Sequence, residues 1–310
     1  MNGTPDCGPV WPAVTADGGS DLVLATRRAL GAEGMAQRCP DCLQSLARRV
    51  GADAMQGTAI VLLLDEYRES VDVVLTLLTN EAALDRVYGA ESGLLAGQVK
   101  GKTFIDMSTV RPAKPQEMAG LVQAVHAYFL ECPVGGSVGP AKEGKLLGFV
   151  GGQAQDLARV HALLSVICRR VEHVGPHGAG ATMKLAVNLP LMVYWQTLGE
   201  ALSLVEPLGL DPQRVIDILS DSSGGPNMLK VRGNMIAQTL KQQTSDQVTV
   251  NVATMRKDMQ AMLDQGQATQ KVLPLTALAL QKFDAAAQNG LDGKDCSELL
   301  VWWLSQGGRA

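Results

Sequence analysis

The sequence predicts an α/β first half built on a parallel sheet, followed by a largely helical second half. Three observations predict it. Between Gly51 and Gly152 short apolar runs alternate with segments of helical periodicity, and after Gly175 the short runs give way to long helical patterns. The length of 310 residues suggests two domains, each large enough to bury its own core. The boundary is expected at the Gly175 turn, giving domains 1–174 and 175–310.

The apolar runs are Val71–Leu78, Thr103–Met107, Ala127–Leu130 and Leu147–Val150. A strand covered on both faces has no solvent side to alternate with, so unbroken apolar runs of about four to eight residues mark buried parallel strands. Asn80–Tyr88 and Pro112–Val125 fall between them as crossover helices. In the second half Lys184–Glu206 meets only two breakers, Pro190 and Gly199, and Pro212–Ser220, Asn251–Gln265 and Thr276–Gln288 are helical in pattern. Asp211 before Pro212 is a helix start, because its carboxylate can accept from orphan backbone N–H groups and the φ of proline suits the first helical position. Gly224-Gly225-Pro226 closes that helix, and Lys241–Asp246 reads as a solvated loop.

Composition removes several classes of function. With 46% hydrophobic and 19% charged residues the chain is globular, and 27 Lys+Arg against 31 Asp+Glu leave no basic excess for nucleic acid. The most apolar stretches, such as Thr58–Leu64 and Leu185–Val193, fall far short of the roughly 18 residues of a membrane helix. No basic region precedes an apolar run at the start, so a cytoplasmic location is expected. The 6 cysteines are scattered, which fits reduced thiols rather than a disulfide framework. Cys39-Pro40-Asp41-Cys42 has the spacing of half a zinc site, but no second pair accompanies it, and no metal is expected. His177 reads as a turn residue, and Trp302-Trp303 as helix packing or a subunit interface.

The chemistry concentrates in three segments. In Gly175-Pro176-His177-Gly178-Ala179-Gly180 the glycines allow a helix start to pack closely, and Lys184 and Asn188 follow one turn apart on one helical face. A lysine among Leu185, Ala186, Leu189 and Met192 is open to partial desolvation, which lowers its pKa toward the range of proton transfer. A lone pair of this kind is more often a snorkelling lysine beside an ordinary helix residue. Asp106-Met107-Ser108-Thr109 closes one apolar run and Glu131-Cys132-Pro133-Val134-Gly135-Gly136-Ser137 another, both at strand carboxyl ends, where open α/β sheets bind ligands.

Together and in this order the three segments resemble the β-hydroxyacid dehydrogenases, the family of 3-hydroxyisobutyrate dehydrogenase and tartronate semialdehyde reductase, over about Val71 to Ser297. The resemblance implies a Rossmann-like dinucleotide-binding domain followed by an all-helical C-terminal domain for substrate binding and homo-oligomerisation. It implies NAD or NADP as cofactor, a small 3-hydroxy acid or aldehyde as substrate, and hydride transfer between them. Lys184 then stands at the catalytic lysine and Asn188 at its substrate-orienting neighbour. Leu78, Thr79, Thr109 and Lys257, the last in a Lys257-Asp258 pair, stand at cofactor positions, and Gly135, Gly136 and Ser137 where backbone N–H groups hold the substrate acid.

Two departures matter. The usual Pro-Val-Ser-Gly-Gly is Pro133-Val134-Gly135-Gly136-Ser137 here, which either moves the anion donor by two residues or marks a different substrate. Residues 1–50 are atypical: no apolar strand runs into Gly-x-Gly-x-x-Gly, and the nearest approach is Gly31-Ala32-Glu33-Gly34. The abrupt start of the match points to a frame disruption reaching as far as Ser70. Arg27-Arg28 would favour a 2′-phosphate only if Leu22–Thr26 were the second strand of the cofactor fold. The competing reading is a relative without cofactor that acts as a binding or oligomerisation partner. An imine-reducing relative is disfavoured by the presence of Lys184.

Overall fold

The computed structural model describes residues 22–26, 73–89, 93–136, 140–141, 143–242 and 248–306. The Cys39/Cys42 pair, Arg27-Arg28, the Gly31–Gly34 stretch and Ser137 lie outside the described residues. Two compact units divide the chain, residues 1–185 and 186–310.

The first unit is built on a seven-stranded sheet. In chain order its elements are β1 (Leu22–Thr26), β2 (Val73–Leu77), α1 (Glu81–Gly89), β3 (Thr103–Asp106), α2 (Ala113–Ala124), β4 (Tyr128–Glu131), β5 (Val134–Gly135), β6 (Leu146–Gly152), α3 (Ala154–Ile167) and β7 (Cys168–Gly175). The sheet order is β1-β2-β3-β4-β6-β5, with β7 also on β6. β2, β3 and β4 are parallel and connected through α1 and α2, as their apolar runs predict.

Neighbouring strand residues face opposite sides. Val74, Phe104 and Phe129 pack with Ala83, Leu84 and Tyr88 of α1 and Met118, Ala119 and Val122 of α2. Leu75, Ile105 and Leu130 pack with Leu157, Val160, Leu163 and Leu164 of α3 on the other side. Burial on both faces is why these strands lack polar alternation.

The sheet is not parallel throughout. β6 runs antiparallel to β4 and β5, and β7 returns parallel to β6 after the α3 crossover. The exposed and half-buried residues of Arg169–Gly175 carry no apolar run, which hides β7 from a pattern search. Leu22–Thr26 is a strand, but it pairs antiparallel with β2, unlike the parallel second strand of a dinucleotide fold.

The second unit is helical. α4 (Ala179–Val205) runs through both Pro190 and Gly199 and carries the division between the units within its length. A 3-10 turn (Glu206–Leu208), α5 (Pro212–Asp221), α6 (Asn227–Leu240), α7 (Val252–Ala268), α8 (Pro274–Ala286), a π-type turn (Ala287–Leu291) and α9 (Glu298–Ser305) follow. Asp211 caps α5 through Gln213 N, and Asn251 caps α7 through Thr254 N. Its core includes Trp195, Ile216, Leu229, Ile236, Met259, Phe283 and Leu299.

Candidate functional site

At the carboxyl ends of β2 and β3 one buried carboxylate organises both following loops. Asp106, 2% exposed, accepts from Thr76 Oγ1 and from Ser108 Oγ, each at 2.7 Å on Oδ1. Ser108 Oγ in turn accepts the Leu78 N–H at 2.7 Å, and the Tyr88 hydroxyl, 3.0 Å from Thr76 Oγ1, completes the chain. This network ties the Leu78-Thr79 turn to the segment carrying Thr109. Leu78 is buried, whereas Thr79 and Thr109 are half-buried. Burial pushes the Asp106 carboxyl up to about 6, against the hydrogen bonds from Ser108 and Thr76 that favour its charged form.

One strand further, Glu131 ends β4 and reaches the start of α4. Its Oε1 accepts the backbone N–H groups of Gly180 at 2.7 Å, Gly178 at 2.8 Å and Ala181 at 3.4 Å. Burial drives this carboxyl up to about 7, the three N–H groups oppose the rise, and Asp106 adds to it. The turn before α4 is tied down as well, with His177 Nε2 3.0 Å from the Phe129 carbonyl and Gln116 Nε2 donating to the His177 carbonyl at 3.3 Å. Lys184 follows in the second turn of α4, 9% exposed. Gly135 lies in β5 and Gly136 immediately after it.

In the second unit Asn188 and Lys257 converge on one carboxylate. Asn188 Nδ2 donates to Asp258 Oδ2 at 3.5 Å, the outer limit of a hydrogen bond, and Lys257 Nζ forms an ion pair with Oδ1 at 3.1 Å. Asp258 is 5% exposed. Among the described residues no group of three or more His, Cys, Asp or Glu side chains is placed to hold a metal ion, and no helix is long and apolar enough to cross a membrane. Cys132, Cys168 and Cys296 are free buried thiols.

Sequence reasoning ranked the residues of the segments but passed over Asp106 and Glu131 as actors. Their signal was present: each is an acid ending an apolar strand run, a costly place for a carboxylate without partners.

Residues 36–175 match the family model described as the NAD binding domain of 6-phosphogluconate dehydrogenase, and residues 178–303 that of NAD-binding of NADP-dependent 3-hydroxyisobutyrate dehydrogenase. A 3-hydroxyisobutyrate dehydrogenase of Pseudomonas aeruginosa is 33% identical over 239 residues, which are 74% of this chain and 80% of that one. The chain belongs to the β-hydroxyacid dehydrogenase family. Within that family a 2-hydroxy-3-oxopropionate reductase of Escherichia coli is 28% identical over 245 residues, 79% of this chain and 82% of its own. The structure of a Mycobacterium tuberculosis 3-hydroxyisobutyrate dehydrogenase with L-serine superposes with a TM-score of 0.65 at 25% identity, covering 85% of this chain and 95% of that one. The match to the first of these two models, the NAD binding domain, begins at residue 36, inside the stretch that the motifs alone leave unmatched before Val71.

Proposed function

We propose that this chain is an NAD(P)-dependent dehydrogenase or reductase acting on a small 3-hydroxy acid or its semialdehyde. The observation that carries the reading is Lys184: a buried lysine one turn before Asn188, on a helix whose first N–H groups are held by a carboxylate. The relatives support the substrate class, since their names specify 3-hydroxyisobutyrate, 2-hydroxy-3-oxopropionate and 2-(hydroxymethyl)glutarate, small acids with an oxygen on the carbon next to the α-carbon.

The chain's residues divide the work as follows. Leu78, Thr79 and Thr109 are the cofactor-facing residues of the first unit, and the Asp106–Ser108–Leu78 chain fits this role by ordering both loops at the carboxyl edge of the sheet. Lys257 is the cofactor-facing cation of the second unit. The bound nicotinamide supplies the hydride acceptor or donor. Lys184 Nζ takes the hydroxyl proton in oxidation and returns it in reduction, and Asn188 orients the substrate. Backbone N–H groups of Gly135, Gly136 and Ser137 receive the substrate carboxylate. A cytoplasmic homo-oligomer completes the reading. Exposed Val272 just before α8 and exposed Leu275 and Leu278 in its first turns are consistent with subunit contact.

Titration of the full chain with NADH and NADPH, followed by tryptophan fluorescence with circular dichroism as a folding check, tests the cofactor. Saturable binding of either supports the proposal, and a folded chain that binds neither makes it a relative that has lost the cofactor. With binding in hand, Lys184→Ala is expected to lower kcat on short 3-hydroxy acids by about 10²- to 10⁴-fold. Undiminished kcat refutes the role of Lys184.

A further inference from the structure

We infer that Glu131 is a positioning residue for the proton-transfer lysine: its buried carboxylate, seated on the first N–H groups of α4, sets where Lys184 stands and how strongly it holds a proton. The inference rests on the proposed role of Lys184 and deepens it.

The seat leaves Oε1 little freedom. A Cβ on Gly151 would come within 2.0 Å of Oε1, and one on Gly180 would lie 3.0 Å from Oε1 and 2.4 Å from the Phe149 carbonyl. The carboxylate is therefore clamped between β6 and the first turn of α4, where those two glycines leave the room it needs. Three N–H groups converge on one oxygen, at the end of a 27-residue helix that carries about half a positive charge. A carboxylate there satisfies donors that have no partner inside the helix and fixes the axial and rotational position of the first turn. Lys184 follows Ala181 by three residues, about 4.5 Å along the axis at 1.5 Å per residue. A shift of that turn is passed to the lysine through the rigid helix backbone.

The same carboxylate acts through its charge. The titratable groups around it are Asp106 on β3, Cys132 beside it in the chain with Cys168 of β7, and His177 in the turn before α4. Oε2 is buried and has no hydrogen-bond partner among the described residues. A proton on Oε2 would cancel the charge and leave Oε1 in place as acceptor, so geometry and charge are separable. Burial brings the group to about 7, so both forms are accessible near neutrality.

Glu131→Gln keeps an acceptor at Oε1 and removes the charge, whereas Glu131→Asp keeps the charge and shortens the reach. The direct readout is the pH at which Lys184 becomes half-reactive toward a small acylating reagent, followed by peptide mass spectrometry of the full chain. It is read beside kcat, KM and NADPH binding. In Glu131→Gln the Lys184 midpoint is expected to fall by about half a pH unit or more, because the anion seated on the first N–H groups of the lysine's own helix is lost. With it kcat is expected to fall at least fivefold while NADPH affinity stays within about twofold. In Glu131→Asp the midpoint stays near wild type and kcat falls at least threefold. An unmoved midpoint in Glu131→Gln overturns the inference, and so does an equal shift in Glu131→Asp, which would trace the effect to packing. If Glu131→Gln does not fold, wild-type kcat in Glu131→Asp overturns the inference. The labelling midpoint needs no turnover, so full activity in Lys184→Ala would refute the proposed role of the lysine while leaving the Glu131 measurement readable.

Discussion

Asp106 and Glu131 are register partners at the carboxyl ends of the parallel strands β3 and β4, both buried, and each is hydrogen-bonded into a different following segment. Asp106 holds the loops after β2 and β3, and Glu131 holds the start of α4. Burial raises both carboxyls, to about 6 and about 7, from ordinary values of 3.8 and 4.5. The native state therefore binds protons more tightly than the unfolded chain. Stability from this source is full below about pH 4 and is lost as the pH rises through 6 and 7. At about 1.4 kcal/mol per pKa unit, each carboxyl accounts for on the order of 3 kcal/mol. Urea unfolding of the first unit is expected to show a higher midpoint at pH 5 than at pH 8. A midpoint that rises with pH over that range contradicts the burial argument.

Asp106 also allows its charge to be separated from its hydrogen bonds. Asp106→Asn keeps a carbonyl for the Thr76 and Ser108 hydroxyls and abolishes the stability step near pH 6. Asp106→Ala leaves two buried hydroxyls without their acceptor, each worth about 1–3 kcal/mol, and loosens the Leu78 N–H by releasing Ser108. Thermal unfolding should rank wild type and Asn well above Ala. The Ala variant should also bind NAD(P)H more weakly by about tenfold, read by fluorescence titration.

The second unit carries a buried carboxylate whose pKa is shifted in the opposite direction. Asp295 accepts from Arg232 at 2.8 Å, Ser297 N at 2.9 Å and both Thr249 N and Oγ1, at 2.7 and 2.8 Å. Burial works against its charge, but Arg232 and these donors prevail, and the carboxyl lies below its ordinary 3.8. Its contribution is present above the unfolded value and is lost as the pH falls through the folded one. Asp295→Ala strands the Arg232 guanidinium, which lies 5.0 Å from the Trp195 ring centroid, and is expected to cost about 3–5 kcal/mol. Chemical denaturation at pH 7 checks the loss, and a cost below about 1 kcal/mol would show the pair to be solvated.

The parts legible in the sequence are those where one physical demand acts on consecutive residues. Two-sided burial made β2, β3 and β4 continuous apolar runs, and the Asp211-Pro212 pair announced α5. β7 was not legible because its residues after Cys168 are half-buried or exposed. The helical reading of Lys184–Glu206 holds in spite of its two breakers, since α4 continues through both Pro190 and Gly199. In the proposed site, Lys184 and Asn188 were singled out by the three segments taken together, because their spacing alone more often marks a snorkelling lysine beside an ordinary helix residue. That Asn188 and Lys257 share Asp258, 70 residues beyond Asn188, depends on tertiary structure alone.

Asp258 is for that reason the residue to change in the second unit. Asp258→Asn keeps an acceptor for Asn188 Nδ2 but removes the counter-charge of Lys257, 35% exposed. Lys257 is then freer, and the proposed cofactor contact loses its orientation without losing its charge. The expected outcome is a rise in KM for the dinucleotide of about three- to tenfold with kcat lowered less. Salt should narrow the difference, because the ion pair is partly screened. Equal kinetics in wild type and Asn variant would separate Asp258 from cofactor binding.

Gly199 offers a test of helix packing independent of the proposed chemistry. A Cβ there would lie 2.5 Å from Trp303 Cδ1 and 2.6 Å from Cγ, well inside contact distance. Trp303 is not free to yield, because its Nε1 donates to Gln196 Oε1 at 2.8 Å and its ring packs edge-on against Trp302 at 6.0 Å. Glycine lowers helix propensity by about 1 kcal/mol relative to alanine, so a solvent-facing Gly199→Ala would stabilise α4. Here the overpacking is expected to outweigh that gain and destabilise the unit by about 1–3 kcal/mol, by displacing α9. Tryptophan fluorescence should report a changed Trp303 environment in the folded variant. A double variant that also carries Trp303→Leu should recover part of the loss, because the smaller side chain leaves room for the new methyl. An alanine variant more stable than wild type would mean that α9 does not press on α4 at this point.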